Sequence, residues 1–165
     1  TLKIEVNVMP GKGRVQVTGS LGNVMKESSQ AAISYIRSQS RKYKIKADYF
    51  EKHDIHMHIP EGAVPKDGPS AGITMTTAIL SAILGQKVRG DLAMTGEVTI
   101  RGDVLPIGGL KEKLLAAKRL GIQKVLVPKS NEKDVKEFDV EITDGLEIVF
   151  VRTMNQVIKE AFVRA

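Results

Sequence analysis

Apolar residues near the start of the chain alternate with polar ones, which is the two-residue period of a half-buried β-strand. The alternation includes Leu2, Ile4, Val6 and Val8 and resumes at Val15 and Val17. A segment containing Pro and Gly, at 9–13, separates the two runs, so the pattern predicts an N-terminal β-hairpin. A third alternating run at 55–59 predicts a strand that ends at Pro60.

Longer segments have apolar residues at the three- and four-residue spacing of helices. These segments cover about 23–43, 70–84, 110–120 and 157–162. The segment that begins at Ser70 contains no charged residue and stops before Gly85, a residue typical of helix C-termini. We expect this helix to be buried, and it is shorter than the ~20 residues that a membrane span needs.

Further strands are predicted at 92–94, 104–105, 125–127 and 146–151, with a turn near 102–103 and a short polar helix after Ser130. Hairpins therefore precede a βα alternation, and no repeat, low-complexity segment or linker interrupts the chain. This order predicts one domain over residues 1–165, of the α/β (α+β) class, with a mixed sheet, the N-terminal hairpin and packed helices.

The composition suits a globular domain and removes several functions. With 165 residues and 42% apolar content, the chain is long enough to form a core. The net charge of +6 is interleaved with acidic residues, and no basic-aromatic cluster indicates nucleic-acid binding. The absence of cysteine excludes disulfides, thiol catalysis and cysteine-ligated zinc. No signal peptide is visible, and a start without methionine inside a strand pattern indicates a fragment or processed product.

Ser70 is a candidate nucleophile at the start of the uncharged helix. As an ordinary alternative, a serine at this position caps a helix by accepting a backbone N–H. Gly68 and Pro69, however, impose a tight turn that can aim the hydroxyl outward, and the N–H groups at a helix start can hold an oxyanion. Asp67 is expected to shape this loop or to cap a backbone group.

Lys113 is the candidate base. At about 100° per residue, Lys113 lies near ~300° from Leu110, between Leu120 and Ala117 in the apolar arc that also contains Leu114. The nearby charges at 111, 118 and 119 lie outside this arc. A lysine facing the protein can place its ammonium in water at the end of an apolar stem, or it can be desolvated. Desolvation lowers the pKa of a lysine from its ordinary ~10.4, and a neutral lysine can activate a serine for acyl transfer.

Two other classes of function remain open from these residues. A glycine turn at a helix start also cradles phosphate, and small-molecule kinases of the GHMP type have a broadly similar loop. The chain has no Gly-x-x-x-x-Gly-Lys-Ser/Thr segment, so it has no P-loop, and nucleotide binding ranks second. A catalytically silent assembly domain is the third hypothesis.

His56 and His58 alternate with the apolar residues of the third predicted strand, so both face away from the core. Such a pair can bind a metal ion, but no third ligand is evident, and we predict no metal site. A Ser-His-Asp triad with Asp67 is a further alternative.

Three segments resemble one protein family in order and in register. They are Pro-Lys-Asp-Gly-Pro-Ser-Ala-Gly-Ile (65–73), Met-Thr-Gly-Glu-Val-Thr (94–99) and Leu-Pro-Ile-Gly-Gly-Leu-Lys-Glu-Lys (105–113). They closely resemble the C-terminal proteolytic domain of the Lon ATP-dependent proteases, and the resemblance covers nearly the whole chain. It implies a fold similar to that of the GHMP-type kinases, Ser70 as nucleophile and Lys113 as base. Thr95 would orient the lysine, and the 67–70 loop, with Asp67, Gly68 and Pro69, would be able to rearrange.

The resemblance also implies the setting in which this domain works. It implies a serine endopeptidase acting on unfolded, damaged or short-lived regulatory proteins, as the peptidase part of a ring of six subunits. The ATPase module and the N-terminal substrate-binding modules would lie outside this sequence. ATP and magnesium would be used by the ATPase module, so no cofactor is expected in the domain itself. We expect a bacterial cytoplasmic location, with the mitochondrial matrix as the alternative, and no membrane partner.

Overall fold

The computed structural model describes residues 3–19, 21–60, 68 and 70–163. The strands are β1 (Glu5–Pro10), β2 (Val15–Thr18), β3 (His53–His58), β4 (Leu92–Met94), β5 (Glu97–Val98), β6 (Val104–Leu105), β7 (Lys124–Pro128) and β8 (Glu147–Val151). The helices are α1 (Asn23–Ser38), α2 (Tyr49–Lys52), α3 (Gly72–Leu84), α4 (Leu110–Arg119), α5 (Glu132–Glu137), α6 (Val140–Thr143) and α7 (Met154–Ala161). A 3₁₀ turn, Lys129–Asn131, links β7 to α5. The α/β class with a mixed sheet is confirmed.

The predicted N-terminal hairpin is wrong, because β3 lies between β1 and β2. β3 pairs with β1 in the antiparallel sense and with β2 in the parallel sense. The Asp54 carboxylate of β3 accepts the backbone N–H groups of Lys12, Gly13 and Arg14 at 2.8–3.1 Å. The segment between β1 and β2 therefore wraps around the start of β3 and does not close a two-stranded turn.

A second sheet is parallel throughout, with β7 between β4 and β8. Val125, Leu126 and Val127 of β7 are all buried, as expected for the central strand of a parallel sheet covered on both faces. β5 and β6 form the short hairpin predicted around 102–103. The strand β7 is thus the buried central strand of this parallel sheet.

The uncharged segment forms α3, which lies in the core as predicted and packs against α1, β1, β5 and α7. Its two buried threonines, Thr76 and Thr77, donate their hydroxyl hydrogens to carbonyls one turn earlier. Gly85 ends the helix with a left-handed φ of 64°. Within the described residues, the helices are too short or too polar to cross a membrane.

The start of α3 lies close to β5. A Cβ placed on Gly72 would be 2.8 Å from the backbone nitrogen of Val98, so only glycine fits there without displacing the strand. The predicted helix over 23–43 ends earlier, at Ser38, and the turns that follow include Lys44 at a left-handed φ of 59°. The short helices α2 and α6 have too few residues to show a periodic pattern, and we did not predict them.

Gly102 gives the first testable prediction. Its φ is +87°, and an added Cβ would lie within 2.8 Å of Cδ1 of the buried Tyr35 ring. The Tyr35 hydroxyl is also hydrogen-bonded to that of Tyr43 at 2.6 Å, which restricts movement of the ring. Gly102→Ala should therefore lower the free energy of unfolding by roughly 2–4 kcal/mol, measured by urea denaturation.

The matched control is Gly90→Ala, since nothing lies within 4 Å of a Cβ at Gly90. This change should alter the free energy of unfolding by no more than about 0.5 kcal/mol. Equal effects of the two substitutions would contradict the packing described at Gly102.

Candidate active site

Ser70 lies in the turn that leads into α3 and is half-buried. The residue that precedes the helix is Ala71, and no side chain caps the helix there, so Ser70 is not the ordinary N-cap. The backbone of this turn is held by one neighbour. The Ser70 carbonyl accepts the N–H of Gly96 at 2.9 Å, and Ile73 donates its N–H to the Gly96 carbonyl at 3.1 Å.

Lys113 lies in the first turn of α4, which begins after Gly109 at a left-handed φ of 68°. Its side chain is half-buried, and Nζ donates a hydrogen bond to Thr95 Oγ1 at 3.2 Å. Burial removes part of the hydration of the ammonium and lowers the pKa of Lys113 from its ordinary 10.5. Thr95 is 5% exposed and directly follows β4.

The dipeptide Thr95–Gly96 links the two candidate residues. The hydroxyl of Thr95 contacts Lys113, and the backbone of Gly96 contacts the Ser70 turn on both sides. Gly96 is required for this approach, because a Cβ would lie 2.9 Å from Val104 Cγ1 and 3.3 Å from Ile73 Cδ1. We did not single out Gly96 from the sequence, although it lies between two strands, β4 and β5, and a glycine in a strand region can mark close backbone approach.

Ser70, Thr95 and Lys113 line one cavity of about 430 Å³. Most of its other lining residues are apolar: Ala71, Val88, Leu92, Ala93, Met94, Ala116, Ala117, Leu120, Ile122 and Val125. Within the described residues, no hydrogen bond joins Ser70 to Lys113, whose ammonium instead donates to Thr95. The cavity therefore combines a serine, a partly desolvated amine and apolar walls.

The burial of the side chains of α4 follows the helical period of the sequence, with two exceptions at Leu120 and Lys118. Leu110, Leu114 and Ala117 are buried, whereas Leu120 lies beyond the helix end and is 57% exposed. Lys118 was expected on the wet side but is half-buried, because α6 packs against α4 and the Glu141 carbonyl accepts its Nζ at 2.6 Å. Lys113 is therefore not the only half-buried lysine of this helix, but it is the one that lines the cavity.

Of the other residues named from the sequence, the structure describes Gly68, His56 and His58. Gly68 has a φ of +138°, a conformation that favours glycine, and Asp67 and Pro69 lie outside the described residues. His56 Nε2 and His58 Nδ1 both hydrogen-bond to Thr18 Oγ1, at 2.8 and 2.6 Å. In the described part of the chain, no group of three or more His, Asp or Glu side chains could hold a metal ion.

Comparison with known proteins identifies the family. The model of the Lon protease (S16) C-terminal proteolytic domain matches residues 1–164. The chain belongs to this family. A Lon protease of Lachnoclostridium phytofermentans is 64% identical over 163 residues, which is 99% of this chain and 20% of the relative.

Two further relatives agree with the family match. A Lon protease of Nitratidesulfovibrio vulgaris is 59% identical over 160 residues, 97% of this chain and 20% of that protein. The Lon protease 1 of Bacillus subtilis is 53% identical over 163 residues, 99% of this chain and 21% of that protein. The chain thus spans about a fifth of the length of these curated relatives. Membership in a proteolytic family favours peptidase chemistry over the kinase-like alternative.

The burial of Lys113 should lower the stability of this Lon proteolytic domain in a pH-dependent way. Because burial lowers the pKa of Lys113 in the folded chain, the unfolded chain binds more protons between the lowered pKa and 10.5, and stability rises with pH there. Lys113→Met removes the charge and keeps a side chain of similar length. It should raise the free energy of unfolding near pH 7, and the gain should shrink as the pH approaches 10.5.

Urea denaturation across this pH range measures the effect. The same substitution at the exposed Lys111 of α4 is the control and should change the free energy of unfolding by no more than about 0.5 kcal/mol. A gain for Lys113→Met that stays constant from neutral to alkaline pH would show that the ammonium is fully hydrated.

Proposed function

We propose that this chain is the serine endopeptidase domain of an ATP-dependent Lon protease, with Ser70 as nucleophile and Lys113 as general base. The observation that carries the proposal is the partly desolvated Lys113, held by a buried threonine in the cavity that also contains Ser70. A base must be neutral to accept a proton, and burial moves the pKa of Lys113 in that direction.

The hydrogen bond to Thr95 is suited to this role. A neutral lysine amine has two N–H groups and one lone pair. When one N–H is donated to Thr95 Oγ1, the amine is oriented and its lone pair stays available for the Ser70 hydroxyl proton. Thr95 is therefore a positioning residue in the proposed mechanism.

The reaction proceeds in two stages. Lys113 accepts the proton of Ser70 Oγ as the oxygen attacks a peptide carbonyl, and backbone N–H groups near the Ser70 turn stabilise the oxyanion. The protonated Lys113 then gives its proton to the leaving amine as the C–N bond breaks. Water, deprotonated by Lys113, hydrolyses the acyl-enzyme and restores Ser70. A rearrangement of the Ser70 turn, with Asp67, Gly68 and Pro69 as shaping residues, brings Oγ to Nζ.

The setting proposed for the whole protein rests on the family. The substrates are unfolded, damaged or short-lived regulatory proteins, and residues 1–165 act with an ATPase module of the full-length chain in a ring of six subunits. ATP and magnesium serve that module, and the peptidase domain needs no cofactor of its own. We place the protein in the bacterial cytoplasm. Apolar walls around Ser70 favour substrates with an apolar side chain beside the cleaved bond.

Peptide cleavage without ATP, together with covalent capture, tests the proposal. A fluorogenic peptide with an apolar residue before the cleaved bond should be hydrolysed, and a peptide boronate should form an adduct that mass mapping assigns to Ser70. Ser70→Ala and Lys113→Ala should each lower the rate by at least about 1,000-fold. Substantial activity in either variant would refute the dyad.

The isolated chain and the full-length protein are both assayed. If neither cleaves the peptide nor forms an adduct, the peptidase assignment fails, and saturable nucleotide binding at the Ser70 turn would then favour the kinase-like alternative.

Thr95 supplies a second prediction on the same assay. Thr95→Val has nearly the same shape but cannot accept a hydrogen bond from Lys113, so the amine loses its orientation. The value of kcat should fall about 10- to 100-fold with KM little changed, because the threonine does not bind substrate. Thr95→Ser retains the hydroxyl and should keep most of the activity. Equal losses in the two variants would assign Thr95 a packing role only.

A further inference from the structure

Asn131 is a polar side chain of the core that no step of the proposed mechanism uses. It is 3% exposed and ends the 3₁₀ turn that follows the central strand β7. A buried amide is costly unless its polar groups are hydrogen-bonded, so its partners indicate why it is there.

Its side chain forms two reciprocal hydrogen bonds with the backbone of one distant residue. Oδ1 accepts the N–H of Ile107 at 3.0 Å, and Nδ2 donates to the Ile107 carbonyl at 3.0 Å. The second amide hydrogen is donated to Asp134 Oδ2 at 2.8 Å. Only this amide orientation is possible, because the flipped one would turn Oδ1 towards two acceptors.

Asn131 also directly precedes α5, where asparagine usually caps its own helix. Here its side chain makes no capping hydrogen bond, and both ends of the amide contact Ile107 instead. The side chain is therefore committed to the loop before α4, across 24 residues of sequence.

This loop is the part of the fold that sets where Lys113 begins. Two exposed glycines, Gly108 and Gly109, separate Ile107 from the first residue of α4, and glycine restrains the backbone least. Lys113 itself closes the first turn, since its N–H donates to the Gly109 carbonyl at 3.3 Å. The hydrogen bonds to Ile107 therefore hold the chain at the last residue before these glycines and limit how far the turn that carries Lys113 can move.

Thr95, which accepts the hydrogen bond from Lys113, is held by the strand β7. The N–H of Thr95 donates to the Leu126 carbonyl of β7 at 3.1 Å, and β4, which precedes Thr95, pairs with β7. β7 thus holds Thr95 through Leu126, and the 3₁₀ turn that directly follows β7 holds Ile107, in the loop before α4, through Asn131.

We propose that Asn131 is a positioning residue for Lys113: it docks the loop before α4 on the turn that follows β7, so that Nζ reaches Thr95 in the cavity. Its effect on catalysis rests on the proposed function, whereas its effect on the surroundings of Lys113 does not. Without the two bonds to Ile107, the glycines let α4 shift, and Lys113 leaves its desolvated position.

Asn131→Leu tests the proposal, because leucine has a similar volume, no charge and no hydrogen-bonding group. The Lys113 amine is labelled with trace acetic anhydride over a range of pH and quantified by mass mapping. In the variant, the titration midpoint of this labelling should move up towards 10.5, the ordinary lysine value. At neutral pH, kcat should fall about 10- to 100-fold, with KM little changed.

Val157→Ala is the control for lost stability, because Val157 is fully buried in the core cluster that does not include α4. It should lower the melting temperature without moving the labelling midpoint. An unchanged midpoint in Asn131→Leu, or an equal shift in Val157→Ala, overturns the proposal. If circular dichroism shows that Asn131→Leu does not fold, Asn131→Ser is judged by the same criteria. If neither the wild-type chain nor the full-length protein has peptidase activity, the proposed function is refuted, while the labelling result still decides the role of Asn131.

Discussion

The hydrogen bond from Lys113 to Thr95 is the interaction on which the rest of the site depends. It places an amine on the inner face of α4, where burial weakens the charged form, and offers it a neutral hydroxyl as partner. A carboxylate in the same position would favour the ammonium and keep the lysine protonated. Burial with a neutral partner therefore has two effects: the hydrogen bond orients the amine, and the pKa of the lysine stays lowered.

The surrounding fold keeps that arrangement in place from both sides. Thr95 follows a strand of the parallel sheet and is tied to β7, while Gly96, the next residue, binds both ends of the Ser70 turn. The buried helix α3 approaches β5 closely at Gly72, which fixes the position of the helix start. The positions of Ser70 and Thr95 thus depend on backbone contacts between neighbouring elements, which are more rigid than long side chains.

Some of this organisation could be predicted from the sequence, because it is local. The alternation around β1, β2 and β3 predicts strands, and the helical period predicts that Lys113 faces inward. Which strands pair is not local: the turn after β1 folds around Asp54, and nothing in the alternation shows it. For the same reason the role of Gly96 was missed, and Thr95 was singled out only by the resemblance of its motif to the Lon family.

The most direct test of Lys113 as the base is its own titration in the wild-type chain, followed by NMR of the side-chain ε-methylene group. We expect a midpoint below the ordinary value of 10.5, because the side chain is partly buried. Thr95→Val should move the midpoint further down, because the hydroxyl stabilises the ammonium. A midpoint at 10.5 that does not respond to Thr95→Val would mean that the lysine is hydrated and that the site lacks its base.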